Sequence, residues 1–250
     1  MRLNARTHLV LTMAVTAAAV SAAFLLPVPA FAEGTNLQGS GHEVAQTRPV
    51  GTFTSLRVEG PVDVHAHPGA AGNVVVHAED NLQPLIETTL EGQTLVVRIA
   101  RHASFTTYRH MSVEVPFAQL TGLQIRGSGD VSIDDLVTPR FEASISGSGD
   151  LRVERASVGT LVTDIAGSGD MSFTGRADEA RYQIAGSGDV HAATLTAKKV
   201  TVSISGSGDA EVNATESLDA SVAGSGDIHY AGHPAQVSRR VRGSGDIDPM

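Results

Sequence analysis

The sequence predicts an all-β chain: a right-handed parallel β-helix, or solenoid, of coils 19–20 residues long, preceded by a less regular strand-rich part. Two observations predict it. The tetrapeptide Gly-Ser-Gly-Asp occurs seven times, beginning at Gly127, Gly147, Gly167, Gly186, Gly206, Gly224 and Gly243, with steps of 20, 20, 19, 20, 18 and 19 residues. A period held that tightly marks stacked coils, each unable to bury its apolar face without its neighbours. On both sides of each copy but the last, apolar and polar residues alternate, the two-residue period of a strand with one buried face.

Residues 1–32 have the three parts of a secretory leader and are set apart from the fold. Arg2 and Arg6 precede an apolar run from Leu9 to Leu26, and Ala30-Phe31-Ala32 supplies small residues at the cleavage site. The expected cut after Ala32 places the mature chain in the periplasm or outside the cell, with no stable membrane span. Residues 33–49 are polar, carry Gly34, Gly39 and Gly41, and show no apolar period, which reads as a flexible linker.

The strand-rich part is expected over residues 50–126. Phe53, Leu56 and Val58 lead into Gly60-Pro61-Val62-Asp63, a worn copy of the later turn, after which Val62 and Val64 alternate with Asp63 and His65. Val74 to Val76 reads as a strand after a Pro68-Gly69 turn, and residues 81–86 as one helical turn limited by Pro84. Two strands around Glu91-Gly92-Gln93 read as a hairpin. Residues 112–116 and 120–125 are further strands, the second delivering the chain into the first complete turn.

The solenoid is expected over residues 127–250. Counting back from each turn, the inward positions are Phe141, Ala143 and Ile145; Leu161, Thr163 and Ile165; Ala180, Tyr182 and Ile184; Val200, Val202 and Ile204; Leu218, Ala220 and Val222. Counting forward, inward pairs follow each turn, from Val131 and Ile133 to Ile228 and Tyr230. Each coil has at least two strands, and the segment between them, such as residues 134–139, turns a corner and is a candidate third side. In the turns, the first glycines and their partners Gly129, Gly149, Gly169, Gly188, Gly208, Gly226 and Gly245 are expected to allow positive φ and close stacking. The Asp carboxylate is expected to accept bonds from turn N–H groups. The last coil carries Arg239 at an inward position, beside Arg240 and Arg242, which reads as a polar cap on the open edge.

Candidate chemistry is sparse. Stacking places Asp130, Asp150, Asp170, Asp189, Asp209, Asp227 and Asp246 in a column at the rung spacing of about 4.8 Å. Neighbouring carboxylates at that distance repel by roughly 1 kcal/mol in water. Turn N–H groups, splaying into solvent, high titration or bound cations are the ways to offset this. A calcium ion wants six to eight oxygens, so one Asp and one Ser per coil is a thin supply, and the column is a weak cation candidate only. His65 and His67 share a strand face with His77 nearby, yet no third ligand stands at a recognised spacing, so they read as solvated strand histidines. No catalytic, metal-binding or cofactor-binding residues are assigned, and no Ser-His-Asp arrangement follows from spacing alone.

Composition narrows the classes further. Without the leader the chain has 16 Lys and Arg against 27 Asp and Glu, a formal charge of −11, which excludes a nucleic-acid partner and disfavours anionic membranes. Zero cysteines excludes disulfides and thiolate ligands. The mature 218 residues suffice for one domain and fall short of a binding domain with its own outer-membrane barrel. With no Trp, three Tyr and seven Phe, the aromatic platforms that hold sugars in carbohydrate-active enzymes are scarce.

Phe53, Leu56, Val58, Gly60, Asp63 and Val64, then Asn81-Leu82, then Thr94, Leu95 and Val97, and finally the repeated Gly-Ser-Gly-Asp turns resemble, as a set, the bacterial family called putative auto-transporter adhesin, head GIN domain. The resemblance runs from about Thr52 to the C-terminus. It implies an exported β-solenoid of unestablished biochemistry with an adhesive role, and it brings no catalytic residues. The expected function is therefore a non-enzymatic binding module of the envelope, its ligand a glycan or protein. A polysaccharide-active lyase or glycosidase and a purely structural envelope protein are the alternatives.

Overall fold

In a computed structural model, residues 36–101 and 103–250 are described; the leader expected at residues 1–32 lies outside them. The chain first makes β1 (Asn36–Gln38), β2 (Glu43–Gly51), β3 (Ser55–Glu59), β4 (Asp63–Pro68) and β5 (Gly72–Glu79). A single 3-10 turn (Gln83–Leu85) with Pro84 near its start is the helical turn expected there. Then come β6 (Ile86–Glu91), β7 (Thr94–Ile99), β8 (Ser104–Thr106), β9 (Ser112–Phe117) and β10 (Gly122–Gly127). The β6–β7 hairpin pairs Glu91 with Thr94, so only Gly92 and Gln93 form its loop, Gly92 at φ 64°.

Within the expected flexible linker, residues 36–38 and 43–49 are instead strand, joined by a short turn at residues 39–42. β1 pairs with β8, and β2 runs antiparallel to β5 from Glu43 opposite Glu79 to Gly51 opposite Gly72. Periodicity fails to show β2 because nearly all of it is exposed: it is held by its backbone ladder and by Arg48, not by a buried face. Arg48 donates to Ile86 O, to Gln83 O at 2.8 Å and to Gln83 Oε1 at 2.9 Å. Gly39 is a packing residue rather than a hinge, since a Cβ there would lie 2.0 Å from Glu79 Oε2.

Glu79 is the pin of this N-terminal strap. Its side chain is fully buried and accepts from Gly41 N at 2.7 Å, Thr107 Oγ1 at 2.8 Å and Tyr108 N at 3.3 Å. Burial pushes its pKa up, but the bonds from Thr107, Gly41 and Tyr108 and the charge of Arg109 outweigh that and hold it below the ordinary carboxylate value. A depressed folded pKa stabilises above the unfolded value and is lost as pH falls through the folded one. The amides of Gly41 and Tyr108 are therefore expected to lose hydrogen-exchange protection in acid, below the ordinary Glu range, before the solenoid core does. Glu79→Gln should loosen them already at neutral pH, and unchanged protection in both cases would remove the pin.

The regular part follows as β11 (Val131–Gly147), β12 (Leu151–Gly167), β13 (Met171–Gly186), β14 (Val190–Gly206), β15 (Ala210–Gly224), β16 (Ile228–Ala231), β17 (Gln236–Gly243) and β18 (Ile247–Pro249). They stack in parallel as a β-solenoid of about six coils. Alternation within a coil breaks phase at Asp134-Asp135 and at Pro139-Arg140, where two successive residues point away from the core. These breaks and the glycine turn are three corners, so the middle segment is a true third side with Leu136 and Thr138 buried. All the inward residues expected from the alternation in the coils from β11 to β16 are buried. The shortened repeats lose residues around the middle side, where register shifts fall between Val153 and Ala156, Ser172 and Gly175, and Ala192 and Thr196. The long third side stays in register, from Gly127 opposite Gly147 to Gly224 opposite Gly243.

The strand-rich part continues the same stack. β10 and β3 extend the long side below β11, and β4 and β9 extend the first side. Gly60 to Asp63 thus forms the rung beneath the first complete turn. At the other end Arg239 lies in the register of Ala220, its guanidinium 5.1 Å from the Tyr230 ring centroid, and donates to Ile247 O at 3.2 Å. β17 is exposed along its whole length, so Arg239 covers Tyr230 and leaves Val237 and Val241 open on either side of it.

Candidate functional site

Each glycine-aspartate corner stacks on the one below, and the close approach explains its composition. A Cβ on Gly186 would sit 2.2 Å from Gly167 O, and one on Gly188 would sit 2.2 Å from Gly169 O. Only the first glycine of each corner has positive φ, as in Gly186 at 141°; the second is glycine for space alone, contrary to the expectation that both supply positive φ.

The aspartates form a continuous ladder that begins at Asp63, one rung before the first complete repeat. Asp130 N donates to Asp63 Oδ1 at 3.0 Å, Asp150 N to Asp130 at 2.9 Å, Asp170 N to Asp150 at 2.8 Å and Asp189 N to Asp170 at 2.8 Å. Asp209, Asp227 and Asp246 continue it at 2.7, 2.7 and 2.8 Å. A hydrogen bond to a charged group contributes roughly 1.5–3 kcal/mol. Such bonds offset part of the repulsion between neighbouring carboxylates, which is roughly 1 kcal/mol per pair in water and roughly 3 to 4 at an effective dielectric of 20.

A groove of about 530 Å³ runs beside the ladder, lined among others by His65, Ser132, Arg152, Asp170, Ser172 and His191. Ligand atoms of Asp170 and His191, which line it, and of the adjacent Asp189 lie within 4.8 Å of one another, the one such trio among the described residues. His65 meets Ser132 Oγ through Nδ1 at 2.9 Å and Asp134 Oδ2 through Nε2 at 3.4 Å. Those are the residue types of a nucleophile, a base and its partner. Ser132 nevertheless stands in a strand paired with β4 on one side and β12 on the other, which commits the nearby N–H groups to the ladder rather than to an oxyanion. The His67 ring centroid lies 5.9 Å from that of His65, the planes tilted by 36°, while His77 turns to Glu114 at 3.2 Å, so the three strand histidines do not converge.

The outward positions of the long side form columns of short polar and small residues: Ser144, Asp164, Gln183, Ser203 and Ser221 in one, Ser146, Ala166, Ala185, Ser205 and Ala223 in the next. Farther along the same side a groove of about 680 Å³ is edged by Arg140, Glu179, Arg181, Lys199 and Asp219.

Residues 52–234 match the family described as putative auto-transporter adhesin, head GIN domain. The chain belongs to that family. The crystal structure of a putative adhesin from Bacteroides fragilis is similar with a TM-score of 0.82 and 26% identity, covering 86% of this chain and 100% of the other. A putative adhesin from Parabacteroides distasonis follows with a TM-score of 0.70 and 25% identity over 86% and 100%. A protein of that species described as a putative lipid binding protein shares the fold, with a TM-score of 0.73 and 24% identity over 86% and 100%. No curated protein matches the chain. The molecule is thus an adhesin-like β-solenoid, and no helix among its described residues is long and apolar enough to cross a membrane.

Two groups at the site escaped the sequence reading. Asp63 was visible as the end of a worn turn, but the residues between Gly60 and it are Pro61 and Val62 rather than Ser and Gly, which hid its place in the ladder. His191 follows Asp189 by two residues, and the 19-residue step brings Asp170 beneath them; the signal was an Asp-Val-His triplet set against the repeat.

Proposed function

We propose that the protein is an exported, non-enzymatic binding module of the bacterial envelope, and that its contact surface is the long side with the adjoining serine-aspartate corner. Its leader, ending at Ala32, would deliver it to the periplasm or beyond. The observation that carries this reading is the repetition of the same short outward groups from rung to rung. Short side chains on a twisted but regular sheet leave a broad face with hydroxyls and carboxylates at a spacing of about 4.8 Å. Such a face suits an extended ligand, a glycan chain foremost, which it can meet at several rungs at once with weak contacts that add. Family membership and the adhesins among the structural neighbours support adhesion over catalysis.

The mature chain, screened on glycan arrays and then incubated with every glycan it retains, tests this. Retention without chain shortening is the expected result. Release of shortened products would make it a polysaccharide-active enzyme, and silence on the arrays together with an empty pull-down from envelope extract would leave a structural spacer.

A further inference from the structure

We propose that Asp170, Asp189 and His191 bind a divalent transition-metal ion, with zinc as the reference ion. The three come together because of the solenoid. Asp170 and Asp189 occupy the same corner position on successive rungs, and His191, two residues beyond Asp189 along a strand, points to the same side of it. Their ligand atoms already lie within 4.8 Å of one another. Metal–oxygen and metal–nitrogen bonds of about 2.0–2.2 Å put neighbouring ligand atoms roughly 3.4 Å apart in a tetrahedral site. The exposed His191 can supply a contraction of about 1 Å or more by changing rotamer.

Both carboxylates are oriented for this. Oδ1 of Asp170 is taken by Asp189 N and Oδ1 of Asp189 by Asp209 N. The second oxygen of each remains, its direction fixed by a backbone bond of the kind that orients metal ligands. His191 engages no hydrogen bond or ion pair among the described residues and keeps its imidazole for a ligand.

The nitrogen donor decides the class of ion. Calcium and magnesium take oxygen ligands, whereas imidazole with carboxylates suits zinc and its first-row neighbours. It also separates this trio from the rest of the acidic ladder, where the registers above and below carry Glu211 and Ser172 in place of the histidine. Asp227 and His229 repeat the same triplet spacing above Asp209, but their ligand atoms do not approach as closely. One ion per chain is the consequence, beside the groove that Asp170 and His191 help to line.

Calorimetric titration of the untagged mature protein with zinc chloride tests the site, with calcium chloride and the visible spectrum of added cobalt alongside. One equivalent of zinc is expected, calcium binding being far weaker, with a cobalt spectrum that reports nitrogen coordination. His191→Ala and Asp189→Asn should each weaken zinc by about tenfold or more. Asp189→Asn keeps an oxygen for the Asp209 amide, so the ladder survives, and circular dichroism should match the parent. His67→Ala should leave zinc binding unchanged. Equal affinity in His191→Ala, equal preference for calcium, or no saturation up to millimolar zinc would each overturn the proposal.

Discussion

Gly186→Ala is expected to destabilise the protein by about 3 kcal/mol or more, a large part of a domain's net stability. Two terms act together. The residue sits at φ 141°, where an L side chain is strained, and the new Cβ would lie 2.2 Å from Gly167 O and 3.1 Å from Gly167 C. That neighbour is backbone and belongs to a rung fixed by the next, so it cannot turn aside as a flexible side chain would. Relief requires the two corners to separate, which would lengthen the bonds from Ser187 N to Gly167 O at 2.9 Å and from Asp189 N to Asp170 Oδ1 at 2.8 Å. Ser187→Ala is the control, since Ser187 is exposed and its loss should fall within about 0.5 kcal/mol. Urea midpoints of the two variants check the contrast; equal midpoints would show that the corners do not depend on their glycines.

This sensitivity was legible in the sequence because it is written seven times. The inward residues of the first and long sides were equally legible, since each runs for two or three alternations and ends at a turn with an unmistakable spelling. The middle side was harder: Leu136 and Thr138 give a single alternation between two corners, too short for a period. Neither β1 nor β2 was legible, for the opposite reason. Their residues bury little and gain their order from long-range partners: Asn81 Nδ2 donates to Gln38 O at 2.8 Å, Ser40 N to Asn81 Oδ1 at 3.0 Å, and Gly41 N to Glu79. A glycine at 39 carries the same letter whether it loosens a linker or lets it lie close, and only the Glu79 carboxyl beside it decides which. The trio at the candidate metal site was half legible: the aligned turns stack Asp189 on Asp170 and set His191 over the outward Ser172, but spacing alone does not show that the imidazole reaches the two carboxylates.

Phe173→Ala should cost about 3–5 kcal/mol, the range for removing a fully buried aromatic ring. Phe173 has no exposed surface, and its ring lies 6.4 Å from that of Tyr182, tilted by 54°. The two face each other across the core of one coil, Phe173 on the first side and Tyr182 on the long side. The same coil carries Ala180 where its neighbours have Leu161 and Val200, so the small residue makes room for the two rings. Neighbouring coils hold Val153 and Thr163 below and Ala192 and Val202 above at the matching inward positions. None of these is long enough to fill the space a missing ring leaves. Burial also raises the Tyr182 hydroxyl pKa above its ordinary value, so the phenol stays neutral and the variant's loss should not change between about pH 6 and 9. Since a solenoid coil is coupled chiefly to its nearest neighbours, hydrogen exchange should quicken first in β12, β13 and β14, with the rungs near β10 and β16 following only at global unfolding. Phe173→Leu, which keeps most of the volume, should lose less than about 1.5 kcal/mol. A uniform rise in exchange across all the coils, or a loss below about 1 kcal/mol for the alanine variant, would mean that the rings do not close the interior of this coil.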